Sequence, residues 1–187
     1  MGIAELPFPT PSLGNEVVLL RRWRQTDVPA TLTAFSDAVL QRFWTARTPD
    51  TEADVRSDFV ELEQARLRGE RVDLALVEPS NGDVVLGGGT LFDVDLEHGR
   101  AAVGYWLAPE ARGRGVVTHA VRLIAGWAFE KLAVARLELT CGPDNHASQR
   151  VAERCGFTRE GLLRSHTPFK DGRRDTVVFS LLTGELR

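Results

Sequence analysis

Cysteine is scarce. Two thiols in 187 residues, Cys141 and Cys155, cannot build a disulfide framework, and both read as buried reduced side chains. A basic excess is missing too: 23 Lys and Arg stand against 26 Asp and Glu, a net charge of −3. That excludes a protein that coats nucleic acid, which would need a surplus of cations over many phosphates. No apolar run approaches the roughly 18 residues of a membrane span. The N-terminus, MGIAELPFPTPSLGNE, lacks the basic-then-apolar pattern of a secretory signal. No repeat, low-complexity block or linker divides the chain. The expectation is a cytoplasmic protein without nucleic-acid or membrane partners, with a proline-rich leader over 1–15 and a single domain over 16–187. The remaining composition, 43% hydrophobic and 26% charged, supplies a real core without a metal or a staple.

Periodicity orders the elements. EVVLLRRW (16–23) predicts a strand. TDVPATLTAFSDAVL places Val28, Leu32, Phe35 and Val39 at helical spacing behind Thr26 or Asp27 as a cap, and QRFWTARTPD follows as a loop. A second helix runs from Thr51 to Gly69, with Val55, Phe59 and Leu62 on one face. The period then shortens to two: RVDLALVE and DVVLGGGTLFDVD alternate around an Asn81-Gly82 turn, and AAVGYWL (101–107) comes next. A helix through about Leu132, a strand at 135–141, a helix at 145–157 and two strands at 157–166 and 174–182, joined through FKDGRR, complete the order. The pattern β-α-α-β-β-β-α-β-α-β-β implies a mixed sheet with helices on both faces, an α+β fold. Gly87–Gly89 lies inside strand-like sequence and predicts a bulge or a close strand approach.

The junction WLAPEARGRGVVT (106–118) carries the chemistry. The crossover helix buries Val117, Ala120, Val121, Ile124 and Ala128, and its first turn follows Gly113 and Gly115 directly. The first amides of a helix lack intrahelical partners and carry the positive end of its dipole. Glycine lets the backbone fold so that these amides converge. Arg112 and Arg114 add charge and Thr118 adds a hydroxyl, which makes a phosphate site, most naturally for a pyrophosphate. A P-loop would need Gly-Lys-Ser/Thr, and a dinucleotide fingerprint would need a third small residue where Thr118 stands. Neither fits.

The stretches VGYWLAPEARGRGVVTHAV and RLELTCGPDNHASQRVAERCGF together resemble the GCN5-related N-acetyltransferase (GNAT) superfamily, in its branch of ribosomal-protein N-terminal (RimJ/RimL-type) acetyltransferases. The likeness spans residues 16–183. The family turn reads Arg112 to Val117, its Asn-x-x-Ser reads Asn145 to Ser148, and Gly156-Phe157 closes the pattern. Val117 departs from the usual Gly or Ala, and Ala102 replaces a Glu that relatives often carry. The resemblance implies about seven mostly antiparallel strands with a V-shaped splay between 101–107 and 135–141. It implies acetyl-CoA as co-substrate, with the pyrophosphate on amides of Arg112, Gly113, Arg114, Gly115, Val116 and Val117, near Thr118. The pantetheine would run along Trp106 and Leu107 and against Asn145, with Arg154 near the nucleotide. The Leu107 N–H would bind the thioester carbonyl, and Ser148 would serve the departing thiolate. No metal is implied, and a homodimer is common in this branch.

Local capping offers a plainer role for Asn145, which would accept from the Ser148 amide. Phe43, Trp44 and Arg47 are candidates for the acceptor wall, against ordinary loop packing. His166 is a candidate group on the acceptor side. Cys141 has no evident base and is discounted as a nucleophile. No general base is evident, and that bears on the amine. An α-amine, pKa near 8, is neutral about a tenth of the time at pH 7, a penalty of about 1.4 kcal/mol. A lysine near 10.4 is neutral about once in 2,500, roughly 4.6 kcal/mol. A site without a base therefore favours α-amines or other weakly basic amines, acylated by direct attack. The alternatives are a non-catalytic acyl-CoA-binding or sensing module, an enzyme using another donor such as succinyl-CoA, and, less favoured, a nucleotide-binding regulator.

Overall fold

The computed structural model describes residues 5–169 and 172–187. Lys170 and Asp171, in the tip expected within FKDGRR, and residues 1–4 of the leader lie outside the described residues. Seven strands form one sheet in the order β1-β2-β3-β4-β5-β7-β6. They are β1 (Leu19–Arg21), β2 (Val72–Glu78), β3 (Asn81–Asp95), β4 (Arg100–Leu107), β5 (Arg136–Cys141), β6 (Thr158–Phe169) and β7 (Gly172–Leu182). The helices are α1 (Val28–Phe35), α2 (Ala38–Phe43), α3 (Glu52–Leu67), α4 (Val116–Lys131) and α5 (His146–Cys155). Among the described residues only β4 and β5 pair in parallel; α4 is their crossover.

The first helix expected from the sequence is two. Its apolar spacing continues through Val39, but Ser36 ends α1 and the Asp37 side chain accepts from the Leu40 amide at 2.8 Å, capping a new helix. Gln41 to Phe43, expected as loop, therefore belong to α2. The first strand shrinks to Leu19–Arg21. The described residues of the leader pack against the domain. Leu6 is buried in the core and its amide donates to the Arg66 carbonyl at 3.2 Å. The Phe8 ring lies under the Arg22 and Arg66 guanidiniums.

The core lies chiefly between the sheet and α4, whose Val117, Ala120, Val121, Ile124 and Ala128 are all buried as the spacing predicts. Burying one such Val or Ile side chain contributes roughly 1.5–3 kcal/mol. The three glycines of β3 serve close approach. A Cβ on Gly87 would lie 2.2 Å from the Trp106 carbonyl oxygen, one on Gly88 2.4 Å from the Trp106 indole nitrogen, and one on Gly89 2.9 Å from Ile124. A register shift between Leu76 and Val77 supplies the bulge. No helix among the described residues is long and apolar enough to cross a membrane.

A buried ion pair fixes the opposite margin. The Arg21 guanidinium donates two 2.8 Å bonds to Asp27, which is 1% exposed, and further bonds to the Gly82 carbonyl at 2.8 and 3.0 Å. One salt bridge thus joins β1, the approach to α1 and the β2–β3 turn. Removing one member of such a pair leaves a buried charge without its partner. Asp27→Ala should cost about 3–5 kcal/mol in urea unfolding, whereas a loss below about 1 kcal/mol would show that the pair has no structural weight.

Candidate active site

The site begins where two strands part. β4 and β5 pair over Arg100–Ala102 and Arg136–Glu138, and then separate. β5 goes on pairing with β7 along its whole length, and β4 goes on pairing with β3 as far as Leu107. A V-shaped opening is left between Val103–Leu107 and Leu139–Cys141.

The ladder settles which groups face that opening. The Ala108 amide donates to the Leu86 carbonyl at 2.9 Å. Antiparallel rungs alternate between hydrogen-bonded and non-bonded pairs, so the next rung, Leu107 opposite Gly87, is non-bonded. The N–H and C=O of Leu107, Tyr105 and Val103 therefore point away from β3, into the V. Trp106 spends its backbone on Gly88, and what it offers a ligand is its ring.

Directly after this edge the chain makes a 3-10 turn, Pro109–Ala111, and reaches Gly113 (φ +74°) and Gly115 (φ +78°). Both φ values lie in the left-handed region, and a Cβ at either position would meet open space or only His119 at 3.8 Å. Conformation, not crowding, asks for glycine here. The His119 amide reaches back to the Gly115 carbonyl at 3.2 Å, so the amides of Val116, Val117 and Thr118 before it have no partner within the helix. The Val117 side chain is buried, so its bulk enters the core and leaves the amide free to bind. Converging free amides over a left-handed glycine turn are the donor set a diphosphate requires.

Both arginines of the turn are paired with carboxylates. Arg112 pairs with Asp37 at the start of α2, and its guanidinium holds that carboxyl below the usual carboxylate range. Arg114 pairs with Glu78 at 3.1 Å. Arg154 is exposed on α5, and its carbonyl accepts from Arg122 at 2.8 Å.

Across the V, Asn145 caps α5 and accepts from the Ser148 amide at 3.2 Å. Ser148 is 9% exposed, and its Oγ lies 2.7 Å from the Tyr105 hydroxyl. The Cys141 thiol also lies against Ser148, and burial pushes that thiol above its ordinary range. Cys155 is buried as expected, whereas Cys141 is only half-buried, and a thiol held protonated in this way is poorly suited to be a nucleophile.

The opposite face of the sheet carries an aromatic row. Trp23 stacks between Phe59 and Trp106 at 5.0 and 6.0 Å, Phe35 lies 5.1 Å from Trp106, and Trp44 meets Phe35 edge-on at 4.8 Å. Phe43 and Trp44 are half-buried beside this row. Arg47 leans away onto α3 through Asp54 and Asp58 at 3.2 and 2.9 Å. His166 is exposed on β6, its ring nitrogen 3.3 Å from the Thr167 hydroxyl. Arg42 ties α2 to Asp144 at 2.9 Å, and Arg174 of β7 donates to the Arg42 carbonyl at 3.0 Å, closing one wall. Two surface pockets of about 320 and 490 Å³ lie around Phe8 and Arg22 and touch neither Ser148 nor the glycine turn. No group of three His, Cys, Asp or Glu that could hold a metal ion occurs among the described residues.

The sequence reading missed Tyr105, Asp37 and Trp23. Strand alternation puts Tyr105 on the face of buried Ala101 and Val103, and Asp37 before Ala-Val-Leu is a cap signal. The pairing of each with its partner is long-range and left no local mark.

Comparison with known proteins agrees with this geometry. YdaF of Bacillus subtilis (strain 168), provisionally named a ribosomal N-acetyltransferase, is 35% identical over 96 residues, 51% of this chain and 52% of its own. The chain thus spans about half of that relative. The N-acetyltransferase p20 of Bacillus licheniformis, itself uncharacterized, is 27% identical over 93% of this chain and 97% of its own. The structure of Mycobacterium smegmatis RimJ in complex with CoA-disulfide superposes with a TM-score of 0.83 at 23% identity, covering 93% of this chain and 87% of that one. Residues 18–158 match the family model described as an acetyltransferase (GNAT) domain. That match covers well over half of the chain, and with the parted strands and the glycine turn it leads to one conclusion: the chain belongs to the GNAT acetyltransferase domain family.

Proposed function

We propose that the protein is an acetyl-CoA-dependent N-acetyltransferase that transfers acetyl directly to an α-amine or another weakly basic primary amine. The observation that carries the reading is the open edge of β4 running without interruption into the glycine turn. Acetyl-CoA supplies an activated thioester on a pantetheine arm with two amides, and an open strand edge complements such an arm as it would a peptide. The amides of Val116 to Thr118 bind the diphosphate. The Leu107 N–H points into the V and stabilises the carbonyl oxygen as negative charge develops there. Ser148, at the N-terminus of α5, hydrogen-bonds the leaving sulfur, and the helix dipole favours the thiolate. The amine reaches the carbonyl from the aromatic face, between α2 and the β6–β7 hairpin.

Two features favour this reading over its rivals. Arg42 and Arg47 are already paired with carboxylates, and Arg174 is engaged by the Arg42 carbonyl and the Phe169 ring, so each is occupied where a succinyl donor would need one for its extra carboxylate. Ser148 is buried and aimed across the V at β4, an arrangement a passive binding module would not need.

Gly115→Val forces a β-branched residue to φ +78°. CoA affinity by calorimetry should fall roughly tenfold or more, while unchanged affinity would remove the turn from the site. Ser148→Ala should lower kcat about 10²-fold with little change in the KM for acetyl-CoA; wild-type turnover would exclude Ser148. With no carboxylate at Ala102, a peptide bearing a free α-amine should outpace an Nα-blocked lysine peptide by about 10²-fold in kcat/KM at pH 7. Thiol release measured on the two peptides decides it, and a preference for lysine would point to a base not identified among these residues.

A further inference from the structure

The Ser148 hydroxyl has one proton and two lone pairs, and its usefulness to a leaving sulfur depends on where that proton points. The neighbours of Ser148 bear on the matter. Tyr105, on the open stretch of β4, places its hydroxyl 2.7 Å from Ser148 Oγ; its next polar neighbour, the Ser148 carbonyl, is 3.5 Å away. The Cys141 thiol lies on the other strand of the V, also against Ser148. If Ser148 donated to Tyr105, it would have nothing left for the sulfur.

Resting on the reading above, we infer that Tyr105 is a positioning residue: its hydroxyl donates to Ser148 Oγ, so that the serine's own proton is directed into the V toward the sulfur. Burial pushes the Tyr105 hydroxyl well above the ordinary phenol value, so it stays protonated and remains a donor throughout the working pH range. With Tyr105 as the donor, Ser148 accepts through a lone pair and keeps its own hydrogen for the sulfur.

In the transfer itself the amine nitrogen forms a bond to the acyl carbon and the carbon–sulfur bond breaks, its electron pair passing to sulfur. The nitrogen loses its extra proton to water, and the sulfur leaves as thiolate, hydrogen-bonded by Ser148, or takes up a proton from solvent. Tyr105 changes neither charge nor bonding. Its influence runs wholly through Ser148, and that makes it testable apart from a packing role.

The experiment compares wild type with Tyr105→Phe, Ser148→Ala and the double variant. Three readouts are taken: steady-state kinetics, the unfolding midpoint, and titration of the CoA thiol in the bound state by its thiolate absorbance. Tyr105→Phe should lower kcat roughly tenfold with the acetyl-CoA KM and the midpoint little changed. It should also raise the bound thiol's pKa by about one unit, since Ser148 then supports the thiolate less well. The double variant should be no slower than Ser148→Ala alone, and its bound thiol should titrate where that of Ser148→Ala does. Wild-type kcat and thiol pKa in Tyr105→Phe would overturn the inference. So would losses that multiply in the double variant, which would mean that Tyr105 acts independently of Ser148. Should wild type release no thiol with any amine, the transferase reading falls while the thiol titration still decides the role of Tyr105. Failure to bind CoA at all would remove both.

Discussion

The parting of β4 from β5 after Ala102 is the constraint on which the rest depends. A sheet that stayed paired would satisfy the Val103, Tyr105 and Leu107 amides internally and offer nothing to a ligand. Because β5 commits its length to β7 while β4 stays with β3, the two strands share only three rungs. The amides left over form an edge inside the domain, protected from the intermolecular pairing that exposed edges invite. The same strand delivers the chain straight to Gly113 and Gly115, so the open amides of the edge and those of the glycine turn lie on one continuous path.

Several contacts hold that edge in place, and they differ in kind. The β3 glycines let Trp106 and Ile124 close on the strand from opposite faces. The aromatic row from Phe59 to Trp44 supports the strand on the face opposite α4 with stacked and edge-on rings. Partly exposed ion pairs, Arg112 with Asp37 and Arg42 with Asp144, connect the glycine turn and the α5 entrance to the short helix α2. Pairs of that exposure contribute little stability each, and their significance here is geometric: both walls of the opening refer to α2. The buried Arg21–Asp27 pair is the energetic counterpart at the far margin.

Much of this was legible in the sequence because it is local. Helical spacing placed α3, α4 and α5, period-two alternation placed β2 to β4, and the glycines at 113 and 115 marked the turn. Asn145 and Ser148 declared a cap that the structure contains. The rest was hidden wherever distant residues decide. Ser36 and Asp37 break a helix whose apolar spacing runs on unbroken through Val39. Leu6 looked like part of a leader but enters the core, because Arg66, sixty residues away, accepts its amide and caps its carbonyl. Arg112 and Arg114 read as added charge, and their partners Asp37 and Glu78 are supplied only by the tertiary fold. Tyr105 and Ser148 are 43 residues apart, and nothing near either announces the other.

The central claim is that the β4 edge and the glycine turn receive one ligand together. Amide-resolved hydrogen exchange with and without CoA addresses it directly. The account predicts that CoA slows exchange at Tyr105 and Leu107 and at Val116 to Thr118 in the same titration, with Trp106, already bonded to Gly88, little affected. Protection confined to one of the two segments, or to neither, would contradict it.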